Sequence, residues 1–231
     1  MKEKLFIIVS KKKIWKEENN LQDIIQMIIT NVLTALYQPF GFSIILAVLF
    51  MFFYLFVVEH GWKSACRKWV KMFKSKSEFR RVFLLAFYTA LILFRTLLNR
   101  NLWMNPLVNV MGGWSLYNEN GQLTTESIEN VILFVPFSLF LFWTFGHKLC
   151  VNKICFRKVI WKSCKIVFLS SFGIEISQVI FRLGTFQLAD LFYNTLGGII
   201  GGILYYFFYK LIYRGKKEKN MEDIDKNIAK K

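Results

Sequence analysis

The sequence predicts an all-α fold: a polytopic membrane helix bundle of about five transmembrane helices, preceded by an N-terminal amphipathic helix. Three observations point to it. The 231 residues are 55% hydrophobic and 18% aromatic with only 3 prolines, which is too apolar for a soluble domain of this size. The apolar residues gather in long runs, and a hydrocarbon core of about 30 Å calls for helices of roughly 20 such residues. Lys and Arg, 31 in all against 15 Asp and Glu, fall in short segments between the runs. That pattern sets orientation in a membrane.

The spans read in order as residues 40–58, 82–98, 128–145, 166–183 and 192–209, the last carrying four glycines. Lys63, Arg67, Lys68, Lys71, Lys74, Lys76, Arg80 and Arg81 crowd the connection between the first two. Residues 146–165 and the tail from Lys210 are basic as well, so residues 59–81, 146–165 and 210–231 are expected in the cytoplasm. Residues 99–127 hold only Arg100, and residues 184–191 hold no Lys or Arg; both are expected outside. Five spans and a cytoplasmic C-terminus put the N-terminus outside, although Lys11, Lys12 and Lys13 pull the other way. The chain divides accordingly into an N-terminal segment (1–38), a transmembrane domain (39–213) and a basic tail (214–231).

Within the first segment, Leu21, Ile24, Ile25, Ile28, Ile29, Val32, Leu33 and Leu36 repeat at helical spacing, with Asp23, Gln26, Asn31 and Thr34 between them. This predicts an amphipathic helix lying in the interface, separated from the first span by Pro39. A sixth crossing is the alternative. Residues 5–9 make too short an apolar run for a signal peptide. The net charge of +16 comes with no nucleic-acid recognition motif, so no nucleic-acid partner is expected. Cys66, Cys150, Cys155 and Cys164 lie on or beside the basic segments and read as incidental surface thiols. With His60 and His147 they match no ordinary zinc spacing, so neither metal nor cofactor is expected.

The informative residues are polar ones inside the spans. Glu175, Gln178 and Arg182 are spaced by three and four, which places them on one helical face. Asp190, Asn194, Gly197 and Gly201 share a stripe on the next helix, where small residues permit close packing. The alternation of helix directions brings Arg95, Arg100, Glu126, Glu129 and Asn130 to the same membrane face, and Pro136 is expected to bend the third span around them. Charge inside a membrane is costly and faces protein or water. One reading is an internal ion pair between Glu175 or Asp190 and Arg95 or Arg182. The other is a polar pocket opening to the outer leaflet, lined by Arg95, Arg100, Glu129, Asn130, Glu175, Gln178, Arg182, Asp190 and Asn194.

The segment ENVILFVPFSLFL at 129–141, the segment EISQVIFRLGTFQLADLFYNTLGGIIGG at 175–202, and TLLNR at 96–100 followed by Asn105 and Pro106 resemble the motifs of the VanZ-like family. The resemblance covers roughly residues 80–205. Ser138 stands where that family usually has Gly, Gln187 where it usually has Asp, and Leu107 where it usually has Phe. The resemblance implies a membrane protein associated with resistance to the lipidated glycopeptide teicoplanin. Its expected partners are membrane lipids, a lipid-linked cell-wall precursor or a lipoglycopeptide. An enzyme acting on a polyprenyl-linked lipid, with Glu175 or Asp190 as acid or base and Arg182 or Arg100 on phosphate, is the first rival. A small transporter is the second, without the repeated halves such proteins often show.

Overall fold

A computed structural model describes residues 21–58, 61–100, 102, 104–115, 124–150 and 154–228, with side chains as far as Ile212. These residues are helical with no strand among them. Helix α1 occupies residues 21–37, α2 Phe40–Val58, α3 Trp62–Ser75, α4 Ser77–Leu93, α5 Glu126–Leu149, α6 Phe156–Phe181 and α7 Leu188–Ile228. A π-helical turn, Phe94–Leu98, prolongs α4.

Among the described residues, five helical stretches are long and apolar enough to cross a membrane, beginning at Leu21, Ser77, Glu126, Phe156 and Leu188. The first combines α1 and α2. These meet at a turn over Gln38 and Pro39, where proline has no N–H to carry the helix on. The protein is thus a multi-pass membrane helix bundle. Its two ends differ: one carries Glu126, Glu129 and Asp190, the other carries α3 and the basic first turns of α6.

Between lipid-covered helices the hydrophobic effect offers little, because lipid tails are as apolar as leucine; close packing and interhelical hydrogen bonds hold the bundle instead. Helix α7 provides most of both. A Cβ on Gly197 would fall on the Val131 carbonyl, and one on Gly201 on the Val135 carbonyl and 2.9 Å from the Ser138 Cβ. The stripe one residue on faces α6: a Cβ on Gly198 would sit 2.5 Å from Val167 and one on Gly202 2.9 Å from Ser163. Four glycines therefore let α7 lie backbone-close to α5 on one side and to α6 on the other. A core of Tyr88, Leu91, Ile92, Leu133, Phe134, Phe137, Val167 and Ile174 fills the space among α4, α5 and α6. Pro136 lies within α5, which continues as helix on both sides of it.

Three expectations are corrected. The basic connection at 59–81 contains helix α3, which puts Trp69, Met72 and Phe73 against Met51, Leu55 and Phe79 and turns Lys63, Arg67, Lys71 and Lys74 to the exposed side. Helix α6 starts ten residues before the apolar run, since Val159 and Ser163 are buried while Arg157, Lys158 and Lys162 point outward. Hydropathy marks the part of a helix inside hydrocarbon, whereas packing decides where the helix ends. Cys150 is not a surface thiol: it is 4% exposed, clustered with Phe142, Ile154, Val159 and Tyr205. Cys66 is exposed.

Candidate functional site

The polar residues converge at one end of the bundle, where several of them bond to a neighbouring helix. Helix α6 ends in a Schellman motif: Leu183 N–H donates to the Gln178 carbonyl at 2.9 Å and Arg182 N–H to the Val179 carbonyl at 3.3 Å, with Arg182 left-handed at φ 55. This pairing satisfies carbonyls that a helix end otherwise leaves open. The chain then turns back, and the buried Glu175 carboxylate, 2% exposed, accepts from the backbone N–H of Gln187 at 3.1 Å. Glu175 thus clamps the α6–α7 turn from nearly two turns inside the helix.

Gln178, also buried, reaches the other way and donates through Nε2 to the Thr96 carbonyl in the π turn at 2.8 Å. On α7, Asp190 Oδ1 accepts from Asn130 of α5 at 2.7 Å, and Asn194 Nδ2 donates to Ser171 of α6 at 2.8 Å. The expected single stripe therefore divides: Asp190, Gly197 and Gly201 face α5, while Asn194, between the two glycine stripes, faces α6. Among the described residues its Oδ1 is buried without a partner. Turning the amide over would only exchange which of its atoms lacks one.

Arg95 pairs with Glu129 at 2.7 Å, rather than with Glu175 or Asp190 as the ion-pair reading expected. The other Glu129 oxygen accepts from Thr125 at 2.6 Å, and Thr125 Oγ accepts from Asn31 of α1 at 2.7 Å. Asn99 donates to Gln38 at 3.2 Å. Helix α1 is in this way joined to the polar end of the bundle. The shared face expected for Glu175, Gln178 and Arg182 also fails at its third member. Once the helix ends at Phe181, Arg182 leaves that face and is exposed. Arg100 is likewise exposed, yet it is the cation that acts electrostatically on both Glu175 and Asp190. Asp190 also acts on Glu175, and Glu126 acts on Asp190.

Residues 104–115 fold over this assembly. Phe186 N–H donates to the Pro106 carbonyl at 2.8 Å and Leu188 N–H to the Val110 carbonyl at 3.1 Å. Ser127 Oγ donates to the Gly113 carbonyl at 3.0 Å. Gly113 has φ +81, and a Cβ there would lie 2.5 Å from the Gln187 side-chain oxygen, so only glycine fits this closure. The sequence reading missed these backbone contacts, and also Thr96, Thr125 and Ser171, because no charge marks them. The departures from the family pattern find local explanations. Ser138, fully buried, meets Ser163 Oγ at 2.6 Å, and Gln187 uses its backbone for Glu175 and its side chain for Thr185 at 3.2 Å.

A family model described as VanZ/LLP1 matches residues 42–209. Protein VanZ of Enterococcus faecium is 32% identical over 103 residues, which cover 45% of this chain and 53% of that protein. The match thus spans about half the length of the relative. No solved structure matches. Helices α3 to α6, nearly all of α2, the glycine-bearing part of α7 and the residues of the motifs lie inside the matched region, and the chain belongs to the VanZ/LLP1 family.

Proposed function

We propose that this protein protects the cell envelope against teicoplanin-type lipoglycopeptides by binding a lipid-linked or lipidated molecule at the polar end of the bundle, facing the outer leaflet. Family membership supports the resistance role. The observation that carries the binding step is the division of labour within the cluster. Glu129, Asn130, Gln178 and Asn194 are engaged in joining helices, while Arg100, which acts on Glu175 and Asp190, and Arg182, at the end of α6, stay exposed. A rim of guanidinium groups fits the phosphate of a lipid carrier or the carboxylates of a glycopeptide, since Arg pairs with either in bidentate fashion.

The test is teicoplanin protection in a susceptible host, normalised to protein abundance in the membrane. Arg100→Gln and Arg182→Gln lose protection at least tenfold with abundance unchanged. Parallel loss of both quantities would instead assign these residues to the scaffold. Mass spectrometry of lipid co-purified in mild detergent identifies the ligand class; a polyprenyl phosphate there marks a precursor as the bound molecule.

A further inference from the structure

At the opposite end of the bundle α2, α3 and α4 enclose two spaces with no part in the site above. The first, of about 750 Å³, lies between α2 and α3; Arg67, Lys71 and Lys76 line its rim, and Tyr54, Leu55 and Met72 its floor. Arg67 spends its Nε on the Lys63 carbonyl at 3.3 Å. Among the described residues no carboxylate forms an ion pair with Arg67, Lys71 or Lys76. The cavity is built, because α3 is fixed by its apolar face: Phe73 meets Phe83 of α4 edge-on with centroids 5.5 Å apart, and Trp62 stacks on Phe52 of α2 at 5.1 Å.

The second space, of about 480 Å³, is an apolar groove between α2 and α4, lined by Leu46, Phe50, Val82, Ala86 and Leu93, with Phe145 of α5 also against it. Leu46, Phe50 and Tyr54 are each four residues apart, so one stripe of α2 runs through both spaces. Along α4, Val82 to Leu93 covers about 16 Å at 1.5 Å per residue, which is about half the hydrocarbon core.

The basic cavity lies at the helix end and the apolar groove, one leaflet long, lies farther along α2, so that together they offer a cationic end and an apolar length, the polarity of a phospholipid. We infer that α2, α3 and α4 form a specific site for an anionic phospholipid, with its phosphate on Arg67, Lys71 and Lys76 and one acyl chain along Phe50 and Ala86. Basic pockets beside membrane helices recognise such head groups through charge-assisted hydrogen bonds. A zwitterionic lipid brings its own ammonium into the same chamber and is repelled by it.

The test uses the full chain in lipid-depleted detergent, with lipid adducts counted by native mass spectrometry. The probes are phosphatidylglycerol, phosphatidylcholine with the same chains, and inorganic phosphate. Phosphatidylglycerol should bind at least tenfold more tightly than phosphatidylcholine. The triple variant Arg67→Gln, Lys71→Gln, Lys76→Gln should lose about tenfold in phosphatidylglycerol affinity. The equally discharged Arg157→Gln, Lys158→Gln, Lys162→Gln should lose less than twofold. Ala86→Phe fills the groove without touching a charge and should weaken binding severalfold. Equal binding of the two lipids, or equal loss in both triple variants, overturns the site. So does full displacement of lipid by millimolar phosphate, which would make the chamber a soluble-anion site. Should the first triple variant fail to fold, the wild-type lipid ratio and Ala86→Phe decide.

Discussion

Arg182 holds a backbone conformation that costs a residue with a side chain about 1 to 2 kcal/mol, and glycine would hold it free of charge. Arg182→Gly is therefore expected to raise stability by about 1 kcal/mol, measured as detergent thermal stability, while abolishing protection. A variant that gains stability and keeps protection would show that the guanidinium has no role. Glu175 makes the complementary case. Glu175→Gln retains an acceptor for the Gln187 N–H and should leave the folded yield near wild type, whereas Glu175→Ala strands a buried donor at about 1 to 3 kcal/mol and should lower it. At this scale the sequence told where polarity lies but not whom it meets. Periodicity placed Glu175 and Gln178 together, yet nothing in it indicates that one bonds forward to Gln187 and the other across to Thr96. Arg182 was misplaced because a helix end without a preceding glycine leaves no mark in residue spacing. Cys150 offers a further check: burial raises its pKa above the usual thiol value. Its thiolate fraction at neutral pH falls below that of an open thiol, so it should alkylate far more slowly than the exposed Cys66, with the difference vanishing on denaturation.

Among the elements, α7 was the most legible, since glycines four apart announce a close helix contact and the contact is there twice. Gly197→Leu or Gly201→Leu forces a side chain into the backbone of α5, at a cost of about 1 to 3 kcal/mol or more. Folded yield in detergent should drop sharply, and wild-type yield from both variants would mean that α5 stands farther away. Helix α3 was the least legible. Its charges are conspicuous and read as a connection, although Trp62, Ala65, Trp69 and Met72 already carry helical spacing. Short amphipathic helices are hidden by hydropathy averages because their two faces cancel.

For the whole molecule, the five helical stretches and the separation of acidic from basic ends were readable, since length and charge distribution depend on composition alone. Orientation rests on that charge asymmetry. Single cysteines at Ser75 and at Met104, in a background without the native four, should be respectively protected from and labelled by an impermeant maleimide in intact cells; the reverse pattern would invert the bundle. The arrangement around α7 also bears on how the protein is made. Helices α5 and α6 pack extensively on α7 and little on each other, and Glu175 finds its donor only in the turn that leads into α7. The ribosome delivers α7 after α5 and α6. Until it emerges, α5 and α6 wait in the bilayer with Glu175 and Asn130 lacking their partners, so this half of the protein assembles only once α7 has followed, and a chain stopped before Gln187 should be recognised by membrane quality control as an orphan.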